Sequence, residues 1–269
     1  MINAQLSGQV GALVRHTAAT VVLPSYQHLQ ASEISEKGPG EVVTVADRRS
    51  EEVLTAGLLD LLPGSVVVGE EAVSADPAVL RQLAGDAPAW IVDPIDGTAN
   101  YASGRSPFCV MVALLEAGRP VGAWIYDPID DLMGHALDGG GAFLNDVRVE
   151  PATPLPVEQI RGIAPATYYP ADLRAKVTNG KSRLGEVTGG QHCAGREYLD
   201  LISRRQQFTM FWRTWPWDHA PGALLVREAG GVVRRLDGAD YAISPDPGEG
   251  LLAAADEQTW QAVAGALIP

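Results

Sequence analysis

Two carboxylates, Asp93 and Asp96, follow a short apolar run and lie three residues apart in the chain. We expect the apolar run to form a buried strand that ends at Pro94, because a proline cannot donate to the ladder of a sheet. A tight turn between the two aspartates would leave the carbonyl group of Ile95 free. Carboxylate and carbonyl oxygens are the ligands that hard divalent cations prefer. The segment therefore predicts a cation site at the end of a strand.

The next two residues favour an anion site beside the cation site. Gly97 permits a close approach of the backbone, and Thr98 is a good N-cap for a helix that runs onward. Backbone N–H groups at the start of a helix bind anions such as phosphate. An isolated Asp-Pro-x-Asp-Gly segment is also common as a simple structural turn. Other acidic segments of the chain are therefore needed to distinguish a binding site from such a turn.

Two further acidic positions support a functional interpretation. Glu70 and Glu71 end the strand that precedes the one carrying Asp93, and Asp218 opens a late helix, where we expect it to be the N-cap. Each position alone is typical of a solvated strand end or a capped helix. Together with the aspartates of the central segment, however, they favour a cation-binding site over a set of unrelated turns and caps.

The spacing of apolar residues predicts the helices and strands that position these residues, and Gly and Pro residues predict where those elements end. The first thirty residues predict a helix limited by Pro24, and a second helix begins near Thr44 and stops at Pro63. Short β-branched runs predict buried strands at 65–69 and 89–92, and an antiparallel meander at 108–115, 121–126 and 132–136. The second half predicts strands at 207–212 and 232–236, and helices at 194–204, 218–228 and 258–267. A Pro-rich run at 153–157 predicts a division into an N-terminal half, 1–152, and a C-terminal half, 153–269.

Composition restricts the class of protein. The chain has 269 residues, of which 46% are apolar, so it can bury a large core in one large or two small domains. Its formal net charge of −13 argues against binding to nucleic acid or to an anionic membrane. An anionic substrate would therefore need a local positive charge, such as a metal ion. Two cysteines, no apolar run long enough to cross a bilayer and no secretory start predict a cytoplasmic protein.

Four ordered segments together resemble the inositol monophosphatase family of Mg²⁺-dependent, lithium-sensitive phosphatases. The segments are Asp93–Thr98, Gly69–Glu71, Trp217–Asp218 and the Arg-Glu-Ala-Gly-Gly run at 227–231. The resemblance implies an α/β fold, a five-layer αβαβα sandwich that is commonly a homodimer. It also implies a phosphoric monoester hydrolase that acts on a small phosphorylated metabolite.

The same resemblance implies roles for individual residues. One Mg²⁺ would be held by Glu70, Asp93 and the Ile95 carbonyl; a second by Asp93, Asp96 and Asp218; and a weaker third would lie near Glu70. Thr98, paired with Asp47, would orient the attacking water that the first metal activates. The substrate side would include Asp96, Asp218 and the backbone N–H groups of Gly97 and Thr98.

The identity of the substrate is left open by departures from the family pattern. The approach to Asp218 has no carboxylate to bind a polyol, whereas Arg196 and Arg213 are candidates to bind a second anionic group or are surface residues. The alternatives to an inositol phosphate are fructose 1,6-bisphosphate, 3′-phosphoadenosine 5′-phosphate and histidinol phosphate, or a non-catalytic regulatory role. Lys37, His219 and a tryptophan cluster at 212, 215 and 217 receive no assigned role.

Overall fold

Seven strands form the larger of two main sheets in the structure, a computed structural model that describes residues 2–38, 41–166, 169–244 and 248–268. The strands lie in chain order, and only the first pair is parallel. They are β3 (Val66–Gly69), β4 (Ala89–Asp96), β5 (Cys109–Glu116), β6 (Arg119–Asp127), β7 (Leu132–Leu137), β8 (Gly141–Leu144) and β9 (Val147–Arg148). Every residue of β4 is buried, which is why its sequence is apolar on both faces up to the first aspartate. The predicted buried strands and antiparallel meander are confirmed.

The second sheet contains five strands: β10 (Arg161–Ile163), β11 (Glu186–Thr188), β12 (Phe208–Thr214), β13 (Val232–Arg235) and β14 (Gly248–Ala254). Their order across the sheet is β11-β10-β12-β14-β13. A separate hairpin is formed by β1 (Ile34–Gly38) and β2 (Glu41–Thr44). The described strands of the large sheet all precede residue 149 and those of the second sheet all follow residue 160. The division at 153–157 into two halves stays a prediction.

Helices form three layers around the two sheets. They are α1 (Ala4–Thr17), α2 (Leu23–Ser25), α3 (Val45–Leu61), α4 (Glu70–Ala75), α5 (Thr98–Ala102), α6 (Ala171–Gly180), α7 (Ala194–Ile202), α8 (Pro216–Glu228) and α9 (Glu257–Leu267). Apolar residues of α1 and α3 pack on one face of the large sheet, α7 and α8 fill the space between the sheets, and α6 and α9 cover the second sheet. The αβαβα sandwich implied by the resemblance is therefore confirmed.

Three local predictions at the candidate site are wrong. Strand β4 does not stop at Pro94 but continues to Asp96, because a bulge places Pro94 and the next residue where the ladder with β5 shifts register. Thr98 is the first residue of α5, and Gly97, with a φ of +87°, is the N-cap. Asp218 is the third residue of α8, which begins at Pro216.

In the ranges described above, no helix is long and apolar enough to cross a membrane.

Candidate active site

Three carboxylates from two elements meet at the end of the large sheet. Asp93 and Asp96 lie at the end of β4, and Asp218 lies in the first turn of α8. Each offers an oxygen atom, and these atoms lie within 4.8 Å of one another. Asp93 is 1% exposed, Asp96 is buried and Asp218 is half-buried. The structure thus brings together three of the predicted metal ligands, although 122 residues separate the last two in the sequence.

The electrostatics of the three carboxylates favour bound cations. Burial raises the pKa of Asp93 well above its usual value, and the charges of Glu70, Asp96 and Asp218 raise it further. Burial likewise raises the pKa of Asp218, with repulsion from Asp96 and Glu70 as the next causes. Burial also raises the pKa of Asp96, although hydrogen bonds from Cys193 and from the backbone N–H of Gly195 oppose it. Like charges held this closely are stable together only when a cation or a proton compensates them.

Glu70 reaches the same site from α4 and is paired with Lys37 of β1. The Lys37 Nζ lies 2.6 Å from an oxygen of Glu70 and 2.6 Å from an oxygen of Glu71. Burial raises the pKa of Glu70 and the ammonium opposes that rise. Burial acts to lower the pKa of Lys37, but the two glutamates outweigh it and the net shift is upward. Lys37 therefore supplies a positive charge beside a carboxylate predicted to bind metal.

Glu51, which the sequence analysis missed, fixes the start of α4. Its carboxylate accepts hydrogen bonds of 2.8 Å from the backbone N–H groups of Glu71 and Ala72. Gly69 makes this possible, because a Cβ atom at that position would lie 2.2 Å from the Glu51 carboxyl carbon. Glu51 lies four residues after Asp47, on the same face of α3, and that spacing was the available signal.

A Gly69→Ala variant is expected to lose about 1–3 kcal/mol of stability, because the new methyl group displaces a buried, doubly hydrogen-bonded carboxylate. Thermal unfolding followed by circular dichroism would measure the loss. Gly8→Ala is the matched control: its Cβ would meet nothing within 4 Å on a helix, so it should leave the melting temperature unchanged or raise it. A Gly69→Ala protein that melts like the wild type would contradict the proposed role of Glu51.

Asp47 and Thr98 form the predicted pair. The Thr98 Oγ1 lies 3.1 Å from an oxygen of Asp47 and 2.8 Å from the carbonyl oxygen of Ile95. The other oxygen of Asp47 accepts hydrogen bonds from the backbone N–H and the hydroxyl of Thr44, the N-cap of α3. Burial raises the pKa of Asp47 to about 7, and the bonds from Thr44 oppose that rise.

The turn at Gly97 is held by two loops from elsewhere in the chain. A Cβ atom on Gly97 would lie 3.0 Å from the carbonyl oxygen of Pro107 and 3.2 Å from the Cβ of Cys193. The side-chain amide of Asn100 donates to the carbonyls of Pro107 and Gln191, each at 2.9 Å. Glycine at position 97 is therefore required both by its positive φ and by the close packing.

The two arginines suggested for the substrate are both paired with acidic residues. Arg196 is partly buried on α7 and forms ion pairs with three carboxylates, from Asp127, Asp130 and Asp200. The side chain of Arg213 is 64% exposed and pairs with Glu41 of the β1–β2 hairpin. Both guanidinium groups therefore have ion-pair partners within the protein. The roles of the two arginines in substrate binding stay predictions.

The residues left unassigned near Asp218 are largely packed into the interior. His219 is buried; its Nδ1 lies 2.9 Å from the Tyr198 hydroxyl, and its Nε2 lies 2.8 Å from the carbonyl oxygen of Arg213. Burial lowers the pKa of His219 to about 4, so the ring is neutral near pH 7. The Nε2 then carries the hydrogen, since only a donor can bond a carbonyl oxygen.

The tryptophans near the site pack mainly against other apolar residues. Trp215 and Trp217 stack with their ring centroids 4.9 Å apart, and both pack against apolar residues at the edge of the large sheet. Trp212 packs edge-on against Tyr169, with the ring centroids 6.2 Å apart, in an apolar cluster at the second sheet. Their aromatic surfaces thus contribute to packing in two different apolar clusters.

Comparison with known proteins agrees with this geometry. The sequence profile of the inositol monophosphatase family matches residues 6–268, so the chain belongs to that family. It is 33% identical over 219 residues, 79% of each chain, to a Mesorhizobium japonicum protein named inositol-1-monophosphatase. It is 31% identical over 233 residues, 82% of each chain, to the Salmonella typhimurium Nus factor SuhB. The inositol monophosphatase II of Staphylococcus aureus shares its fold, with a TM-score of 0.82 at 22% identity, over 99% of this chain and 97% of that one.

The residues present fit divalent metal ions of the kind this family uses. All donors at the centre are oxygens, which suit hard cations such as Mg²⁺ rather than soft ones. Asp93 is almost completely buried. Burial and the neighbouring carboxylates raise its pKa, and the charge of Lys37 offsets this rise only in part. The donor set and its electrostatics therefore agree with the family.

Proposed function

We propose that the protein hydrolyses a small-molecule phosphate monoester with Mg²⁺ as cofactor. The observation that carries the proposal is the convergence of the carboxylates of Asp93, Asp96 and Asp218 within 4.8 Å, beside the Asp47–Thr98 pair. Family membership supports phosphatase activity in general. The names of the relatives support an inositol phosphate as the first substrate to test.

The proposed metal ligands are those implied by the family resemblance, and the cluster of Asp93, Asp96 and Asp218 supports them in part. Glu70, Asp93 and the carbonyl of Ile95 would hold one ion, and Asp93, Asp96 and Asp218 a second, with a third near Glu70. Bound Mg²⁺ would supply the positive charge that lowers the pKa of a water and offsets the charge developing on the leaving oxygen. With cations present, an acidic protein can bind a dianionic phosphate group.

Thr98 and Asp47 would orient the attacking water. The Thr98 hydroxyl has one hydrogen and two acceptors within reach, the Ile95 carbonyl and Asp47. If the Ile95 carbonyl were a metal ligand, the hydroxyl of Thr98 would donate to Asp47, and its oxygen would be free to accept a hydrogen bond from water. The backbone N–H groups of Gly97 and Thr98 would bind phosphate oxygens at the turn.

The structure bears on the part of the substrate beyond the phosphate group at one place, the strand before Asp218. Phe211 lies on β12 before Asp218 and packs against Tyr198 and His219, so this strand offers no carboxylate to a polyol there. Fructose 1,6-bisphosphate, 3′-phosphoadenosine 5′-phosphate and histidinol phosphate therefore stay alternatives to inositol 1-phosphate. A regulatory role is the other alternative, since relatives named Nus factor SuhB are as similar as some of the phosphatases.

Phosphate release from these four compounds, with Mg²⁺ and with a chelator, tests the proposal. We expect chelator-sensitive turnover of one of them, and adding Li⁺ to the same assay tests the family's lithium sensitivity. Absence of turnover with every compound, in a protein that binds Mg²⁺ by calorimetry, would favour the regulatory alternative.

We propose a homodimer, as is common in the family, and light scattering of the purified protein would measure its mass. We also propose a reducing compartment, the cytoplasm, because both cysteines are free thiols and are buried.

A further inference from the structure

The thiols of Cys109 and Cys193, which come from different elements, lie next to Asp96. Cys109 begins β5 and is the register partner of Asp96 on β4, while Cys193 is the N-cap residue of α7. Their sulfur atoms are 3.7 Å apart, and the Cys193 sulfur lies 3.1 Å from the Asp96 Oδ2. The two sulfurs and a carboxylate oxygen of Asp96 all lie within 4.8 Å of one another.

The spacing of the sulfurs suits a thiophilic metal ion. Zinc binds thiolates at about 2.3 Å in tetrahedral geometry, which places two sulfur ligands about 3.8 Å apart. Two sulfurs and one carboxylate prefer borderline-soft cations such as Zn²⁺ and Cd²⁺, whereas the three-aspartate cluster prefers hard ones. We propose that Cys109, Cys193 and Asp96 form a second metal site, which takes Zn²⁺ or Cd²⁺ and shares Asp96 with the Mg²⁺ centre.

Binding at this site has a simple proton balance. Two S–H bonds break, two metal–sulfur bonds form, and two protons leave to solvent, with no change of oxidation state. The site needs no oxidant and is compatible with a reducing compartment.

Occupancy of this site would alter the candidate active site through Asp96. The Oδ2 of Asp96 accepts a 2.6 Å hydrogen bond from the backbone N–H of Gly195 and faces the Cys193 sulfur. A cation on the sulfur side would engage this carboxylate and reduce its contribution to the Mg²⁺ centre. Zn²⁺ and Cd²⁺ are thus expected to inhibit phosphate release, a consequence that rests on the proposed function, whereas binding itself does not.

Cadmium absorbance on the full-length protein tests the binding directly. Cd²⁺ bound to thiolates gives a sulfur-to-metal charge-transfer band in the ultraviolet, which Cd²⁺ on the aspartates alone does not give. We expect one such ion per chain, and an affinity measured from this band at least about a hundredfold weaker in Cys109→Ala, since losing even an outer-shell partner costs 10–100-fold. Cys109→Ser repeats the test with a near-isosteric side chain in case the alanine variant does not fold.

Met111→Leu is the matched control, because Met111 lies two residues along the same strand, is fully buried and carries sulfur without a thiol. It should keep the band and the wild-type Cd²⁺ affinity. A wild-type protein without the band, or cysteine variants that bind Cd²⁺ with an unchanged band, would overturn the proposal.

Inhibition provides the second measurement. The rate of phosphate release is measured for each protein with added Cd²⁺ and is divided by that protein's rate without it. Cd²⁺ should inhibit Cys109→Ala less than the wild type. Ca²⁺, a hard cation, should inhibit the two proteins equally. Equal sensitivity to Cd²⁺ would show that it acts at the aspartates alone and would overturn the shared-ligand proposal. A protein that shows the band but releases no phosphate would contradict the proposed function and leave the thiol site intact.

Discussion

Asp218→Asn is expected to lower kcat/KM for phosphate release by at least about a thousandfold, because it removes a charged metal ligand. Each tenfold part of that loss corresponds to about 1.4 kcal/mol of transition-state stabilisation. Asp218 is one of three carboxylates whose oxygens converge within 4.8 Å. The amide keeps the size of the side chain but removes the charge, and one end of it presents N–H donors to a cation. Turnover of the substrate found in the phosphate-release assay, measured as a function of Mg²⁺ concentration, would quantify the loss.

Asp96→Asn should show a similar loss, because Asp96 belongs to the same cluster. Asp60→Asn is the matched control: Asp60 is an exposed aspartate near the end of α3, and its loss should leave turnover and melting unchanged. Wild-type turnover in both Asp218→Asn and Asp96→Asn would refute the two-metal assignment. Loss of turnover in the Asp60 variant would mean that the assay reports a general charge effect.

The central turn shows how far the sequence allowed the site to be predicted. The residues that would bind the cation follow from local spacing, because Asp93, Ile95 and Asp96 are close in the chain. The end of β4 was predicted wrongly at Pro94, since a bulge against β5 is a property of the paired strands and not of one segment. Similarly, the N-cap of α5 is Gly97 and not Thr98. The packing around Gly97 includes Cys193, which lies far away in the sequence, so one segment alone does not reveal it.

Contacts across long sequence distances explain what was missed. Glu51 supports the start of α4 from another helix, and Cys109 meets Cys193 across 84 residues. Neither contact follows from periodicity, because side-chain register between elements is fixed only by tertiary packing. The short strands β10 and β11 and the strand β14 were also missed, since three-residue strands carry little pattern of their own and β14 is rich in alanine and glycine.

Asp93→Asn is expected to make the metal-free protein more stable, by about 1–3 kcal/mol, because it removes a buried charge that has like charges around it. The amide oxygen can still accept the 3.1 Å hydrogen bond from the backbone N–H of Ile95 that the wild-type carboxylate accepts. For a chain of this size, 1 kcal/mol corresponds to a shift of about 2–4 °C in melting temperature. Thermal unfolding in a chelator would therefore show the variant melting above the wild type.

The pH dependence of this difference has a definite sign. The folded-state pKa of Asp93 lies above its unfolded value, so its contribution to stability is fully present below the unfolded pKa of about 3.9 and is lost as the pH rises through the folded pKa. Asparagine does not titrate. The advantage of Asp93→Asn in chelator should thus be absent near pH 4 and grow toward neutral pH.

Mg²⁺ should reverse the order of the two proteins at neutral pH. A ligand that binds only the folded state stabilises it by about 3 kcal/mol at a hundred times its Kd, and the wild type has the full set of carboxylates for that binding. The variant lacks one shared by both proposed ions, so it should gain little. The wild type would then melt above Asp93→Asn in Mg²⁺ and below it in chelator. If the variant melts below the wild type under both conditions, the buried charge of Asp93 is compensated within the protein itself, and the electrostatic argument for bound cations at this cluster fails.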